Sequence, residues 1–158
     1  MKKLFFTAIL AILSVASASA QFEKGKIYGG ASASGLGISY SSISDFNFGF
    51  SALGGYMFAD DWMGLAELSY ENYEYEAFSI GVSCRYYIVQ NGLYLSLGAK
   101  YYDNFNWYND FYFTPEVGYS FFLNKHVTLE PSIYYNISLS DFSDKSRFGI
   151  KVGIGFFF

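Results

Sequence analysis

The last twelve residues, Arg147-Phe-Gly-Ile-Lys-Val-Gly-Ile-Gly-Phe-Phe-Phe158, constrain the fold more than any other stretch of the chain. Large apolar side chains stand at every even position: Phe148, Ile150, Val152, Ile154, Phe156 and Phe158. The odd positions hold the small or charged residues Arg147, Gly149, Lys151, Gly153 and Gly155, with Phe157 the one exception. A period of two marks a β-strand, whose successive side chains point to opposite faces. The run is also close to the ~9–11 residues that a tilted strand needs to cross a bilayer. One greasy face and one small, polar face fit a membrane β-barrel better than a soluble sheet.

The amino terminus reads as an export signal. Lys2 and Lys3 precede a mostly apolar run from Leu4 to Val15, and Ala18-Ser19-Ala20 has the small-x-small form of a cleavage site. This predicts a cleaved signal peptide over residues 1–20 and a single mature domain over residues 21–158, starting at Gln21. The run is short for a spanning helix, and no cysteine follows the site to carry a lipid anchor. Without Lys2 and Lys3 the ten basic residues fall to eight, against fourteen acidic ones, a formal charge of −6 with no basic cluster. That balance argues against nucleic acid as a partner. Cys84, the only cysteine, excludes an internal disulfide and a cysteine-based zinc cluster. Sixteen Tyr and eighteen Phe against two Pro favour long strands. Beyond the leader no apolar run reaches the ~20 residues of a spanning helix.

Turn-like residues divide the chain into four hairpins. Short turns fall at Ala59-Asp60-Asp61, Gln90-Asn91-Gly92 and Leu123-Asn124-Lys125, and longer polar connections at Ser41 to Phe46, Asn72 to Glu76, Asp103 to Asp110 and Ser138 to Ser146. Short turns at one end and longer loops at the other are expected of an outer-membrane barrel. Alternation recurs in Asn47 to Phe58, Phe78 to Tyr87, Leu93 to Tyr102 and Val127 to Ile137, and weakly in Lys26 to Ser34. The expected fold is all-β, an eight-stranded antiparallel up-and-down transmembrane β-barrel. A soluble lipocalin-like barrel would turn the apolar face inward. The Gly- and Ser-rich opposite face suits instead a narrow, filled lumen, because eight strands enclose only enough room for side chains. Pro115 and Pro131 fall inside strands, where a closed barrel has no free edge, so each predicts a bulge or a local break in pairing.

Six strands carry one charged residue at inward parity: Glu67, Arg85, Lys100, Glu116, Glu130 and Lys151. Glu71 and Arg147 share that parity nearer the loops. Toward lipid an Arg or Lys would cost ~2–4 kcal/mol at mid-depth, whereas in the lumen the three acids and three bases can pair. Such a network is either a static plug or a gate that exchanges partners to pass ions. Aromatic residues at strand ends, Trp62, Tyr86, Tyr101, Tyr119, Phe121, Tyr135, Phe156 and Phe158, fit interfacial girdles. The loop group Tyr73, Tyr75, Phe105, Trp107 and Tyr108 fits either loop packing or a binding surface. Asp45, Glu74, Glu76, Asp103, Asp110, Asp141 and Asp144, against Lys145, make the loops acidic without the spacing of a dedicated metal site. His126, the only histidine, adjoins a short turn, and Ser120 and Glu130 near it in sequence do not compose a nucleophile–base–acid arrangement. Asn136-Ile137-Ser138 matches a glycosylation sequon, which carries little weight in a bacterial-type barrel.

With the leader, the four hairpins and the terminal Phe156-Phe157-Phe158, the chain resembles the small outer-membrane β-barrel family of the OmpA/OmpX type. The stretch Pro115-Glu-Val-Gly-Tyr-Ser-Phe-Phe-Leu-Asn-Lys125, followed by Val127-Thr-Leu-Glu-Pro-Ser132, looks like that family's paired late strands. The resemblance implies that Phe158 is the terminal aromatic read by the barrel-insertion machinery, and a location in the bacterial outer membrane after passage through the periplasm. It implies a monomeric, non-enzymatic protein without a cofactor, surrounded by outer-membrane lipid, that serves membrane structure or meets an extracellular ligand or surface partner through its loops. A narrow ion-conducting pore and a lipid-modifying enzyme are the alternatives.

Overall fold

The computed structural model describes residues 22–39, 48–72, 76–88, 91–104 and 108–158. The expected leader, the connection Ser41 to Phe46 with Asp45, and Tyr73, Glu74, Tyr75, Gln90, Phe105 and Trp107 lie outside the described residues. Among these residues the strands are β1 (Ile27–Ser39), β2 (Phe48–Ala59), β3 (Trp62–Asn72), β4 (Glu76–Tyr87), β5 (Leu93–Asn104), β6 (Tyr108–Tyr119), β7 (Phe121–Phe122), β8 (Val127–Ser138) and β9 (Arg147–Phe157), with one short helix, α1 (Phe142–Lys145). β7 resumes the line of β6 along β8 after a one-residue interruption, so the nine segments make eight staves. Each stave pairs antiparallel with its sequence neighbour, and β1 pairs with β9 from Tyr28↔Phe157 to Ser39↔Arg147. The sheet therefore closes on itself and pairs most of its backbone within the wall, as a lipid environment demands.

The two faces of this wall are inverted relative to a soluble protein. Outward residues of β4 and β5 such as Ile80, Val82, Leu95 and Leu97 are about half exposed, whereas Arg85 and Glu130 retain 2% and 4% of their surface. The soluble-barrel arrangement is thereby excluded, since it would bury the aliphatic face and solvate the charges. The fold is a transmembrane β-barrel. We expect it to migrate faster on detergent gels before boiling than after, because a closed hydrogen-bonded wall resists detergent until heated. Equal mobility in both conditions would contradict the closed sheet.

Several expected boundaries move. β1 runs on past Ser34 to Ser39, with a register shift against β9 between Ser34 and Leu36. Small residues blur its alternation, but pairing with β2 as far as Ser34 and with β9 as far as Ser39 holds it extended. Ladder pairing through Asn104↔Tyr108 also takes up both ends of the expected connection Asp103 to Asp110. The connection after β8 contains α1. At the opposite end, tight hairpins place Asp61 at φ 64° and Gly92 at φ 93°, the left-handed geometry that short reversals require.

Both prolines face the same seam. Pro115 pairs with Leu97 of β5, and Pro131 with Val152 of β9, but neither pairs across β6–β8. The pairs Phe113↔Ile137 and Glu116↔Tyr134 keep one register across the gap. The chain thus answers a missing N–H with a local break, not with a bulge. A Thr114 Oγ1 to Asn136 Oδ1 hydrogen bond of 2.8 Å bridges the first gap from inside.

Candidate functional site

The lumen is the candidate site, and it is built in layers from the turn end to the loop end. The first layer is apolar. Phe22, which precedes β1, enters the bore with no exposed surface and stacks on Tyr87 at 3.7 Å between ring centroids. Phe122 and Phe157 meet it edge-on, and Met57 and Met63 are fully buried beside them. A strap of hydrogen bonds holds the segment: Asp61 N–H donates to the Phe22 carbonyl (2.9 Å), Lys24 N–H to Asp60 Oδ1 (2.9 Å), and Gly25 N–H to the Met57 carbonyl (2.8 Å). Phe157, the residue that breaks the apolar-even pattern of the last strand, is large because it completes this plug.

The charged layers lie above it. Arg85 Nη1 meets Glu130 Oε2 at 2.9 Å, Lys151 Nζ meets Glu116 Oε2 at 2.7 Å, and Lys100 Nζ meets Glu67 Oε1 at 2.7 Å. Glu67, Arg85, Lys100, Glu116, Glu130 and Lys151 are therefore in direct pairs, each pair joining different strands. Glu130 also accepts hydrogen bonds from Tyr28 OH (2.8 Å), Ser120 Oγ (3.0 Å) and Thr128 Oγ1 (2.8 Å). Arg85 donates to Tyr87 OH (3.2 Å), and its guanidinium carbon lies 3.9 Å from the Tyr94 ring centroid. Tyr94 OH in turn donates to Glu116 Oε1 (3.0 Å), so one tyrosine links the first two charged layers. Tyr134 lies within 6 Å of both luminal lysines, 5.9 Å from Lys100 Nζ and 5.8 Å from Lys151 Nζ. Nearer the loops the bore continues in hydroxyls, with Ser32 against Ser51, Ser69 against Ser79, and Ser138 donating to Asp110.

Glycines make room for these rings. A Cβ on Gly118 would overlap Tyr94 OH and approach Ser132 Cβ to 2.7 Å, and one on Gly149 would overlap Tyr134. Gly118→Val should therefore cost about 1–3 kcal/mol by overpacking, whereas Gly54→Val, with nothing within 4 Å, should be close to neutral. Urea titration read by gel mobility measures both. Equal effects would contradict the packed interior.

The remaining space is small. Among the described residues, three voids of about 10 Å³ each lie in the bore; two share Ser32 and Lys151, and two share Glu67 and Lys100. One adjoins Arg85, whose Nε is buried without a protein partner. Each has room for about one water, far from a continuous wet path. The arrangement can fill and brace a barrel.

The other expected residues are dispersed. Glu71 and Arg147 sit on the inward face toward the loop end, both half-buried. Asp110 is buried, Asp103 and Asp141 are half-buried, and among the described residues no three His, Cys, Asp or Glu side chains gather to hold a metal ion. Ser120 is bonded to Glu130 in the lumen, while exposed His126 sets Nδ1 at 2.9 Å from the Phe157 carbonyl. The aromatics make two belts: Phe58, Trp62 and Tyr86, and Tyr119 with Phe121, near the turns, and Tyr101 with Phe111 near the loops. Phe158 is exposed at the turn end, and its backbone exchanges hydrogen bonds with Ile27. Phe22 and the tyrosine–glycine packing went unrecognised in the sequence. The aromatic at position 157 was the one available signal for the plug.

No protein-family model and no curated protein sequence matches the chain. Solved structures do. The N-terminal β-barrel domain of Pseudomonas aeruginosa OprF superposes with a TM-score of 0.70 at 13% identity, covering 85% of this chain and 98% of that one. Neisserial surface protein A gives 0.58 at 19% identity, covering 84% and 97%. A de novo designed transmembrane β-barrel gives 0.62 at 13% identity, covering 86% and 98%. The chain shares their barrel fold. That a designed barrel stands among them shows that the likeness is one of architecture, which many functions can share.

Proposed function

We propose that the protein is an integral barrel of the bacterial outer membrane, sealed through its lumen and non-enzymatic, which supports the membrane and meets partners through its loops. The observation that carries this reading is the joint one of an apolar exterior and a bore closed by three ion pairs and an aromatic plug. In this reading residues 1–20 direct export and are removed, and Phe158 presents the terminal aromatic to the barrel-insertion machinery. The protein then stands in lipid as a monomer, with its loops facing outward. OprF and Neisserial surface protein A support the membrane assignment as proteins of the same fold.

Two experiments test the reading. Planar-bilayer recording should show no stable conductance, because the luminal voids are water-sized and separated by side chains; a steady open level would favour the pore alternative. Deletion of Phe158 should lower the amount of barrel in the outer membrane of cells more than it lowers resistance to urea after refolding in vitro. Normal cellular levels of that variant would remove Phe158 from the insertion step.

A further inference from the structure

The outer wall is not uniformly convex. A cavity of about 650 Å³ lies on its apolar face, and the ladder registers show its shape. One row of outward residues runs Cys84↔Leu97↔Pro115 and, beyond the break, Tyr135↔Phe148. The register on either side of the break sets Pro115 opposite Tyr135. A second row, two residues nearer the turns, runs Trp62↔Tyr86↔Leu95↔Val117↔Ile133. Between them lies the inward-pointing row of Ser96, Glu116 and Tyr134, which lines the cavity floor. The hollow is thus a furrow perpendicular to the strands, bounded by Trp62 and Tyr86 at one end and by Tyr135 and Phe148 at the other. It crosses the proline seam, where the compact ring of Pro115 keeps one wall low.

We propose that this furrow is a fixed binding site for one acyl chain of a phospholipid. The inference rests on the reading of the protein as a membrane barrel. Each row makes four inter-strand steps of ~4.8 Å, a length of about 19 Å. With strands tilted by ~35–45°, a path perpendicular to them climbs about 11–13 Å. That is close to one leaflet, half of the ~30 Å hydrocarbon core. The furrow is therefore matched to a single chain from one side of the membrane. Its outward-pointing side chains are apolar or aromatic apart from the Cys84 thiol, and it is continuous with the lipid-facing belt, so a hydrocarbon chain lies chiefly against apolar surface. An ordinary convex wall offers an acyl chain contact on one side only, whereas the furrow adds its two flanking rows and so more dispersion contacts along the chain.

The test is native mass spectrometry of the full barrel, refolded in 1-palmitoyl-2-oleoyl-phosphatidylethanolamine nanodiscs and released into detergent. The expected result is one retained phospholipid per barrel. Val117→Trp and Cys84→Trp, which fill the furrow, should each reduce retention about tenfold. Ala52→Trp, on the outward face of β2 away from the furrow, should retain lipid like the parent. No lipid above the detergent background, or equal retention in all four proteins, overturns the proposal. So does a second copy of the chain that is lost on filling, which makes the furrow a protein interface. Displacement of the phospholipid by added palmitic acid at equal concentration would overturn the assignment to phospholipid. Heat-modifiable migration of the same four samples reports the barrel separately, so failure of lipid binding with intact migration sinks this inference alone.

Discussion

Glu130→Ala is expected to destabilise the barrel by about 3–5 kcal/mol, the cost of stranding one partner of a buried ion pair. Glu130 is joined to four side chains of the bore, Arg85, Tyr28, Ser120 and Thr128. Its loss leaves a guanidinium that cannot shed its charge, set against the ring of Tyr94. Arg85→Ala should cost less, because three hydroxyl donors still serve the carboxylate, which can also take up a proton. Lys100→Ala should cost less again, since its pair with Glu67 retains 16% and 10% of its side-chain surface. The order Glu130, Arg85, Lys100 is measurable as urea midpoints of refolded barrels. The Arg85→Ala/Glu130→Ala double variant should be more stable than the two single losses sum to, as expected of side chains in direct contact. None of these variants should show a stable conductance, because the remaining layers still close the bore. Additive losses would mean that the pair is not coupled.

The second large effect lies outside the strands. Phe22→Ala should cost about 3–5 kcal/mol, the usual range for truncating a fully buried phenylalanine. Apart from this ring, residues 22–26 are tied to the turn end by hydrogen bonds from Asp61 N–H, Lys24 N–H and Gly25 N–H and by Met57 N–H to the Lys26 carbonyl (2.9 Å), so the segment should detach locally before the wall opens. Trypsin cleavage after Lys24 and Lys26 should then rise by about two powers of ten, the equivalent of ~3 kcal/mol in the opening equilibrium. Phe22→Leu, which keeps apolar volume, should recover most of the protection. Unchanged proteolysis of Phe22→Ala would show that the stack on Tyr87 does not hold the strap.

These two variants also separate what the sequence made legible from what it hid. Parity along each strand placed Glu130 and Arg85 on one face, because alternation depends only on the two-residue period of an extended chain. Parity could not say that Arg85 reaches Glu130 while Lys151 reaches Glu116. Partner choice depends on strand tilt and on which staves face each other across the closed bore, and both are global properties. Phe22 was invisible for a different reason: it lies before β1, where no period operates, and only the aromatic at inward position 157 hinted at a ring-lined socket. The small residues of Ala31 to Ser39 carried little pattern, so β1 looked shorter than its neighbours make it. Pro115 and Pro131 signalled interruptions correctly. That both interrupt the same seam followed only from the direction in which each missing N–H points.

The central claim is that the apolar face meets lipid and the charged face fills the bore. Nitroxide labels placed singly at positions 150, 151, 152 and 154, in a Cys84→Ala background reconstituted in lipid vesicles, test it most directly through collision rates with oxygen and with a water-soluble nickel complex. The account predicts high oxygen and low nickel collision at 150, 152 and 154, and low values for both at 151. Oxygen access at 151 with protection at 150, or nickel access along the whole even-numbered face, would contradict it.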